Sequence, residues 1–250
     1  MKKKLKVKNI IYIMFLIIFL AMFLYSGYKI VCYLIDNKNN RDLDEKTKQY
    51  IEINDQATKI DEKYEIDWAK LKNHNPNTVA YLKVNGTNID YIVVRGNDNS
   101  YYLRRTFDRT WNASGWIFGD YRNDFDGSDK NLIIYGHNTK DGSMFGTLRN
   151  VLTEDWQSKK ENLKIELVTE KGKYIYEVFS TYIISPEEYY ITTYFGNIDF
   201  NNFVKEMASR SNKDYGVDLS NVSSILTLST CSDNLVDRVV LHAKLIEKTE

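Results

Sequence analysis

The strongest constraint on this chain lies in its first thirty residues. Residues 9–28 carry no charge, and a helix of about 20 such residues spans the ~30 Å hydrocarbon layer of a bilayer. Lys2, Lys3, Lys4, Lys6 and Lys8 precede the run, which predicts a cytoplasmic N-terminus. A cleaved signal peptide has a shorter apolar region that ends in a small-x-small site. Here apolar character continues past Lys29 through Ile30, Val31, Tyr33, Leu34 and Ile35, and Ala21-Met22-Phe23 is a poor cleavage site. The expected division is a basic tail over 1–8, a single-pass membrane anchor over 9–35, a helical stalk or linker over 36–66, and a folded extracellular domain over 67–250.

The folded part reads as mainly β with helices. Asp67 is placed to cap a short helix at Trp68. From Thr78 the apolar period becomes two: Val79-Ala80-Tyr81-Leu82-Lys83-Val84, then the hairpin signal Asn85-Gly86, then a partner strand over 89–94. Further strands are expected over 115–118, 131–135, 163–168, 174–184, 223–231 and 238–247, a series that suggests a closed barrel or a sandwich. Phe200, Phe203, Val204, Met207 and Ala208 have helical spacing behind Asp199 as cap, and a second helix is expected over 144–151. The 34 basic residues balance 34 acidic ones, so net charge offers no footprint for nucleic acid.

The chemistry centres on cysteine. Cys32 lies at the end of the anchor and reads as a membrane-boundary apolar residue, so no disulfide to Cys231 is expected. Cys231 ends one strand-like run, and seven residues later Arg238 opens the next. A thiol attacks carbonyl carbon as its thiolate and needs a base or cation nearby, and the tetrahedral intermediate needs donors for its oxyanion. Residues that flank a hairpin loop are cross-strand neighbours, which sets Cys231 and Arg238 toward one pocket. Of the three histidines, His74 reads as a surface loop residue. His242 shares a strand face with Arg238, Val240 and Lys244 and reads as solvent-side. His137 ends the strand Leu132-Ile133-Ile134-Tyr135 beside Gly136, at a sheet edge where sites are built, although taken alone a structural role is the simpler reading.

Taken together these residues resemble the sortases. Thr227-Leu228-Ser229-Thr230-Cys231 followed by Arg238 resembles the family's Thr-Leu-x-Thr-Cys…Arg signature, and Tyr135-Gly136-His137 its histidine segment. Asp67-Trp68 with Leu71, the segment 81–91, residues 99–103 and 115–123, and the late helix at 199–210 are similar to the class B branch. The resemblance covers about 67–246. It implies a closed eight-stranded β-barrel with N-terminal helices and a helix between the sixth and seventh strands, preceded by one transmembrane helix. It implies a cysteine transpeptidase with His137, Cys231 and Arg238 as catalytic residues and Asn99, Leu103, Tyr190, Ile191 and Ser229 in the substrate groove. Cofactors and a metal are not expected.

The implied reaction cleaves a C-terminal sorting motif of secreted proteins after Thr, in an Asn-Pro-Gln-Thr-Asn-like or Pro-x-Thr pentapeptide. It then transfers the thioacyl group to a peptidoglycan amine. The interval from Cys231 to Arg238 is shorter than in some class B members; Ser232 stands where an acidic residue can occur, and Asp233 reads as a structural partner of Arg238. Two other readings compete. A secreted cysteine hydrolase of another fold would place its histidine differently: Ser-His-Gly-Cys enzymes keep one beside the thiol, and papain-like chains have Cys before His. A membrane-anchored binding module would leave Cys231 merely buried.

Overall fold

The computed structural model describes residues 7–54, 56–231 and 237–249, apart from the side chains of residues 7, 8, 61 and 231. Lys2, Lys3, Lys4, Lys6, Ser232, Asp233 and the Cys231 thiol thus lie outside the described residues.

Helix α1, Val7–Lys48, is 42 residues long. Its N-terminal part is long and apolar enough to cross a membrane, and none of that window is buried against protein. The helix does not break at residue 36: the polar stalk continues it, because no Gly or Pro interrupts 28–48. One stripe of this continuation, Asn37, Asn40, Leu43 and Thr47, is buried, at the spacing that puts residues on one helix face. After α1 the stalk region becomes a small hairpin of β1 (Ile51–Ile53) and β2 (Tyr64–Ile66), with the one-turn helix α2 (Ile60–Lys63) between them. Helix α3, Trp68–His74, starts where the Asp67 carboxylate accepts the Lys70 N–H at 2.9 Å, satisfying one of the turn's orphan donors.

Eight strands close a barrel: β3 (Thr78–Val84), β4 (Asp90–Arg95), β5 (Phe118–Gly119), β6 (Asn131–His137), β7 (Lys164–Thr169), β8 (Gly172–Ile184), β9 (Ile225–Cys231) and β10 (Arg238–Thr249). Around the barrel the order is β10-β8-β7-β3-β4-β5-β6-β9. The β3–β4 hairpin turns at Asn85-Gly86, where Gly86 has φ +70°, a conformation that a Cβ disfavours. Two neighbouring pairs, β4–β5 and β6–β9, are parallel, so each needs a long crossover rather than a tight turn. The β6–β9 crossover contains the short helix α4 (Glu154–Gln157), β7, β8 and helix α5 (Phe200–Ser209). Leu82, Val93, Ile134, Leu167, Leu228 and Leu241 are buried in the barrel's main core, each contributing roughly 1.5–3 kcal/mol relative to exposure.

Two expectations are corrected. Residues 144–151 do not form a helix: Met144 takes φ +49° and bridges to Asn138, and only a 3-10 turn at Leu148–Leu152 follows. The apolar spacing there comes from a knot of turns pinned by Gly142 and Gly146, not from helical period. His242 is not solvent-side. Helix α5 and the segments around it lay a second apolar layer over the outer face of β8, β9 and β10, with Phe179, Tyr182, Tyr190, Phe203, Val204, Met207, Val222, Ile225 and Val240 buried there. His242 lies under that layer, fully buried.

Candidate active site

Strand register brings the three catalytic candidates to one end of the barrel. In the parallel β6–β9 pair, His137 is in register with Cys231 and Tyr135 with Ser229. In the antiparallel β9–β10 pair, Val240 is opposite Ser229, so Arg238, which opens β10, lies at the end of the barrel where β9 ends. Leu226 and Leu228 of β9 pack into the barrel, so Thr227 and Ser229, on the alternate positions, belong to the other face.

The His137 ring is held on one side. It is buried, and its Nε2 lies 2.8 Å from the Leu103 carbonyl oxygen. A carbonyl only accepts, so Nε2 carries the hydrogen and Nδ1 is the nitrogen left to exchange a proton. Leu103 belongs to a 3-10 turn, Tyr101–Arg104, and Gly115 packs against that turn at φ +56°. A Cβ on Gly115 would come within 2.4 Å of the Tyr102 oxygen and 2.7 Å of the Leu103 oxygen. The Gly115 carbonyl in turn accepts from the Asn40 amide of α1 at 3.2 Å. Helix α1, the glycine turn, the Leu103 carbonyl and the imidazole are therefore one continuous set of contacts.

Arg238 is half-buried. Its Nη1 is 3.5 Å from the Tyr190 hydroxyl, which lies 3.0 Å from Ser229 Oγ. Its Nε is buried with no hydrogen-bond partner among the described residues. Asp237 beside it accepts from the Ser185 hydroxyl at 2.8 Å. Tyr190 and Ser229 are fully buried, so they brace the guanidinium from behind.

Asn99 and Ile191 meet through an ion pair that sequence reading left without a role. Asp120 is fully buried and receives a two-pronged contact from Arg122, at 2.7 Å for both Nε and Nη2. It also accepts from the Tyr135 hydroxyl at 2.8 Å and the Asn99 amide at 2.9 Å. Burial pushes the Asp120 carboxyl up, but these donors, Arg122 foremost, outweigh it and hold the group below the usual carboxylate range. The bond to Asp120 holds the Arg122 guanidinium in its charged form. From there Arg122 Nη2 donates to the Ile191 carbonyl at 3.0 Å. An Asp and Arg two apart just after a strand was the available signal.

A second missed group fixes the same segment from below. The Asn131 amide nitrogen lies 3.2 Å from the Tyr190 oxygen and 2.9 Å from the Thr192 oxygen. Two carbonyls there require the NH₂ end, so Asn131 Oδ1 faces Thr227, whose hydroxyl donates to it at 2.6 Å. That hydroxyl must then accept from His242 Nδ1 at 2.8 Å, and His242 Nε2 accepts from the Tyr182 hydroxyl at 2.8 Å. Proton directions thus run one way from Tyr182 to the Tyr190 turn, with His242 neutral. Burial pushes the His242 pKa down to about 3, with the Arg210 charge adding to it. His74 is at the surface, as read from sequence, with Nε2 2.6 Å from Asp108.

Fold and site together define a β-barrel cysteine enzyme whose candidate catalytic residues sit at the ends of a parallel and an antiparallel strand pair. The sortase domain family matches residues 82–246, and the chain belongs to the sortase family, in its class B branch. It is 33% identical to sortase B of Listeria monocytogenes over 247 residues, covering 97% of this chain and 100% of that protein. It is also 33% identical to sortase B of Staphylococcus aureus over 251 residues, covering 99% and 98%. Among solved structures, Bacillus anthracis sortase B in complex with AAEK1 superposes with a TM-score of 0.73 at 30% identity, covering 86% of this chain and 99% of that one. Clostridium perfringens sortase B superposes with a TM-score of 0.65 at 36% identity, covering 72% and 99%. Membership makes this a sortase-type cysteine transpeptidase.

Proposed function

We propose that the enzyme cleaves a sorting motif of the Asn-Pro-Gln-Thr-Asn or Pro-x-Thr type after Thr and joins the released protein to a peptidoglycan amine, with Cys231, His137 and Arg238 as catalytic residues. The observation that supports this best is the register: β6 pairs His137 with Cys231, and the β9–β10 pairing, which runs to Val240 opposite Ser229, brings the start of β10 to the same end of the barrel.

In this reading the Cys231 thiolate attacks the Thr carbonyl carbon. The carbonyl π electrons move onto oxygen, and the positive charge of the Arg238 guanidinium stabilises the oxyanion. Collapse breaks the C–N bond, and the leaving amine takes the proton held at His137 Nδ1, since Nε2–H stays on the Leu103 carbonyl. The product is a thioacyl enzyme. An acceptor amine then attacks the thioester carbon, its proton passes to Nδ1, and the C–S bond breaks to restore the thiolate. Asn99, Leu103, Tyr190, Ile191 and Ser229 shape the groove, mostly by bracing Arg238 and the turn around Tyr190. Residues 9–35 anchor the enzyme with its N-terminus in the cytoplasm and the catalytic domain outside, near its secreted clients.

The test uses the full chain in detergent micelles with a fluorogenic Asn-Pro-Gln-Thr-Asn peptide and an amine acceptor. Cleavage after Thr, an amide product and a trapped acyl adduct on Cys231 by mass spectrometry are expected. Undiminished cleavage by Cys231→Ala would overturn the mechanism.

A further inference from the structure

An exposed loop of the barrel carries side chains that the proposed reaction does not use. Between the 3-10 turn at Tyr101–Arg104 and Gly115 the chain folds back on itself. The Thr106 N–H reaches the Thr110 carbonyl at 2.9 Å, and Arg109 takes φ +64° near the tip. Arg105 bridges Trp111 across the loop, so the two are cross-strand neighbours with side chains on one face. Trp111 is 65% exposed, whereas Trp116 and Trp156 are buried. Arg104, Arg105 and Arg109 stand against one acid in the loop, Asp108, which is paired with His74 at 2.6 Å.

The loop is tied to α1 where the apolar surface of that helix stops. Ile30, Val31, Leu34 and Ile35 are each more than half exposed. At the next residue the barrel begins: the Asp36 carbonyl accepts from the Asn112 amide at 2.9 Å, and the Asp36 carboxylate accepts the Ala113 N–H at 3.2 Å. As a helix, residues 9–35 rise about 40 Å, and a bilayer with its headgroup layers is ~40–45 Å thick. Asp36 therefore stands at the outer edge of the headgroups. From there the chain climbs α1 away from the bilayer, with Ser114 on Asn37 at 2.8 Å and Gly115 on Asn40 at 3.2 Å. Trp111 comes before that climb, on its membrane side.

The residue types suit that level. Tryptophan has an apolar body with an N–H at its edge, and it collects at the headgroup layer. Guanidinium groups bind phosphate through in-plane N–H donors. The Arg105 guanidinium lies over the Tyr101 ring, 4.8 Å from its centre. That leaves in-plane donors beyond the one given to the Arg109 carbonyl at 3.4 Å.

Resting on residues 9–35 spanning the bilayer, we infer that the loop 105–111 is a second membrane contact. Trp111 sits in the headgroup layer, and Arg105 and Arg109 bind the phosphates of anionic lipids. Two contacts, unlike one, fix the tilt of the barrel against the membrane.

The experiment places the full chain in phosphatidylcholine nanodiscs, with and without phosphatidylglycerol, whose acyl chains are brominated either near the headgroup or near their middle. The readout is quenching of tryptophan fluorescence. Trp68 adjoins Asp67, whose N–H is held by the Tyr50 carbonyl at 2.9 Å past the far end of α1, out of reach of the lipid. Trp111 is one of four tryptophans, so shallow bromines should remove up to about a quarter of wild-type emission in discs with phosphatidylglycerol, about half as much without it, and deep bromines less. Trp111→Phe should abolish the quenching with the urea midpoint unchanged. The pair Arg105→Glu and Arg109→Glu should remove the gain from phosphatidylglycerol, and the pair Arg105→Lys and Arg109→Lys should keep most of it. Equal quenching of wild type and Trp111→Phe overturns the membrane contact. Quenching indifferent to phosphatidylglycerol, or a gain untouched by the glutamate pair, overturns the anionic-lipid contact. A chain that does not elute with the nanodiscs would instead overturn the anchor, and the loop contact with it.

Discussion

His137 and Leu103 are joined through a 2.8 Å contact between the imidazole Nε2 and a backbone carbonyl oxygen. That contact decides which nitrogen can work, because the bonded one must keep its hydrogen. It also makes the imidazole depend on a turn 34 residues upstream, and through Gly115 and Asn40 on helix α1.

Gly115→Ala should therefore harm both stability and rate. The new Cβ would meet the Tyr102 and Leu103 oxygens, and φ +56° is disfavoured for alanine. A loss of about 1–3 kcal/mol in urea unfolding is expected, with slower peptide cleavage than an equally destabilised variant in the barrel core. Unchanged unfolding and unchanged cleavage would show that the turn relaxes freely.

Arg238→Lys should lower kcat/KM by roughly 10²-fold, the scale of a lost oxyanion donor, with the urea midpoint little altered. Lysine keeps the charge but lacks the planar fork that reaches Tyr190. Near-wild-type turnover would remove Arg238 from the catalytic set.

Tyr190→Phe leaves the ring in its apolar layer and deletes the hydroxyl between Ser229 and Arg238. Stability should fall by about 1 kcal/mol. The kcat/KM for the sorting peptide should fall about tenfold, since 1.4 kcal/mol of misplaced guanidinium suffices. Kinetics identical to wild type would mean that the hydroxyl does not position Arg238.

His242 predicts a pH dependence. Its pKa is about 3 when folded against an ordinary 6.5, so between those values the unfolded chain holds a proton that the folded one does not. Its contribution is complete above about pH 6.5 and is lost as pH falls toward 3, by up to ~1.4 kcal/mol per pH unit. Asp44 works in the opposite sense, because burial raises its pKa from 3.8 to about 6 and the folded state gains a proton first. Comparing wild type with His242→Gln in urea from pH 7 to 4 cancels Asp44. The wild type should lose stability relative to the variant as pH falls. A constant difference would show that His242 titrates alike in both states.

Local pattern carried much of the fold. The alternation over 79–94 and Asn85-Gly86 led to the β3–β4 hairpin, and Asp67 and Asp199 cap the helices they were expected to cap. The short interval between the two last strand-like runs implied that they are antiparallel neighbours, as β9 and β10 are.

Sequence alone determined the apolar run, the strands, and which residue types were equipped for thiol chemistry. Alternation shows that a strand has two faces but not what covers them, so His242 was read as wet when α5, more than 30 residues away in sequence, buries it. Nor does spacing connect His137 with Cys231, 94 residues apart. Their meeting depends on a parallel crossover, and parallel pairing has no turn to set its register. The bonds from Tyr135 and Asn99 to Asp120, the Asn131–Thr227–His242 chain and the docking of α1 on Gly115 were likewise decided only by tertiary structure, since each joins polar groups that meet only once the barrel has closed.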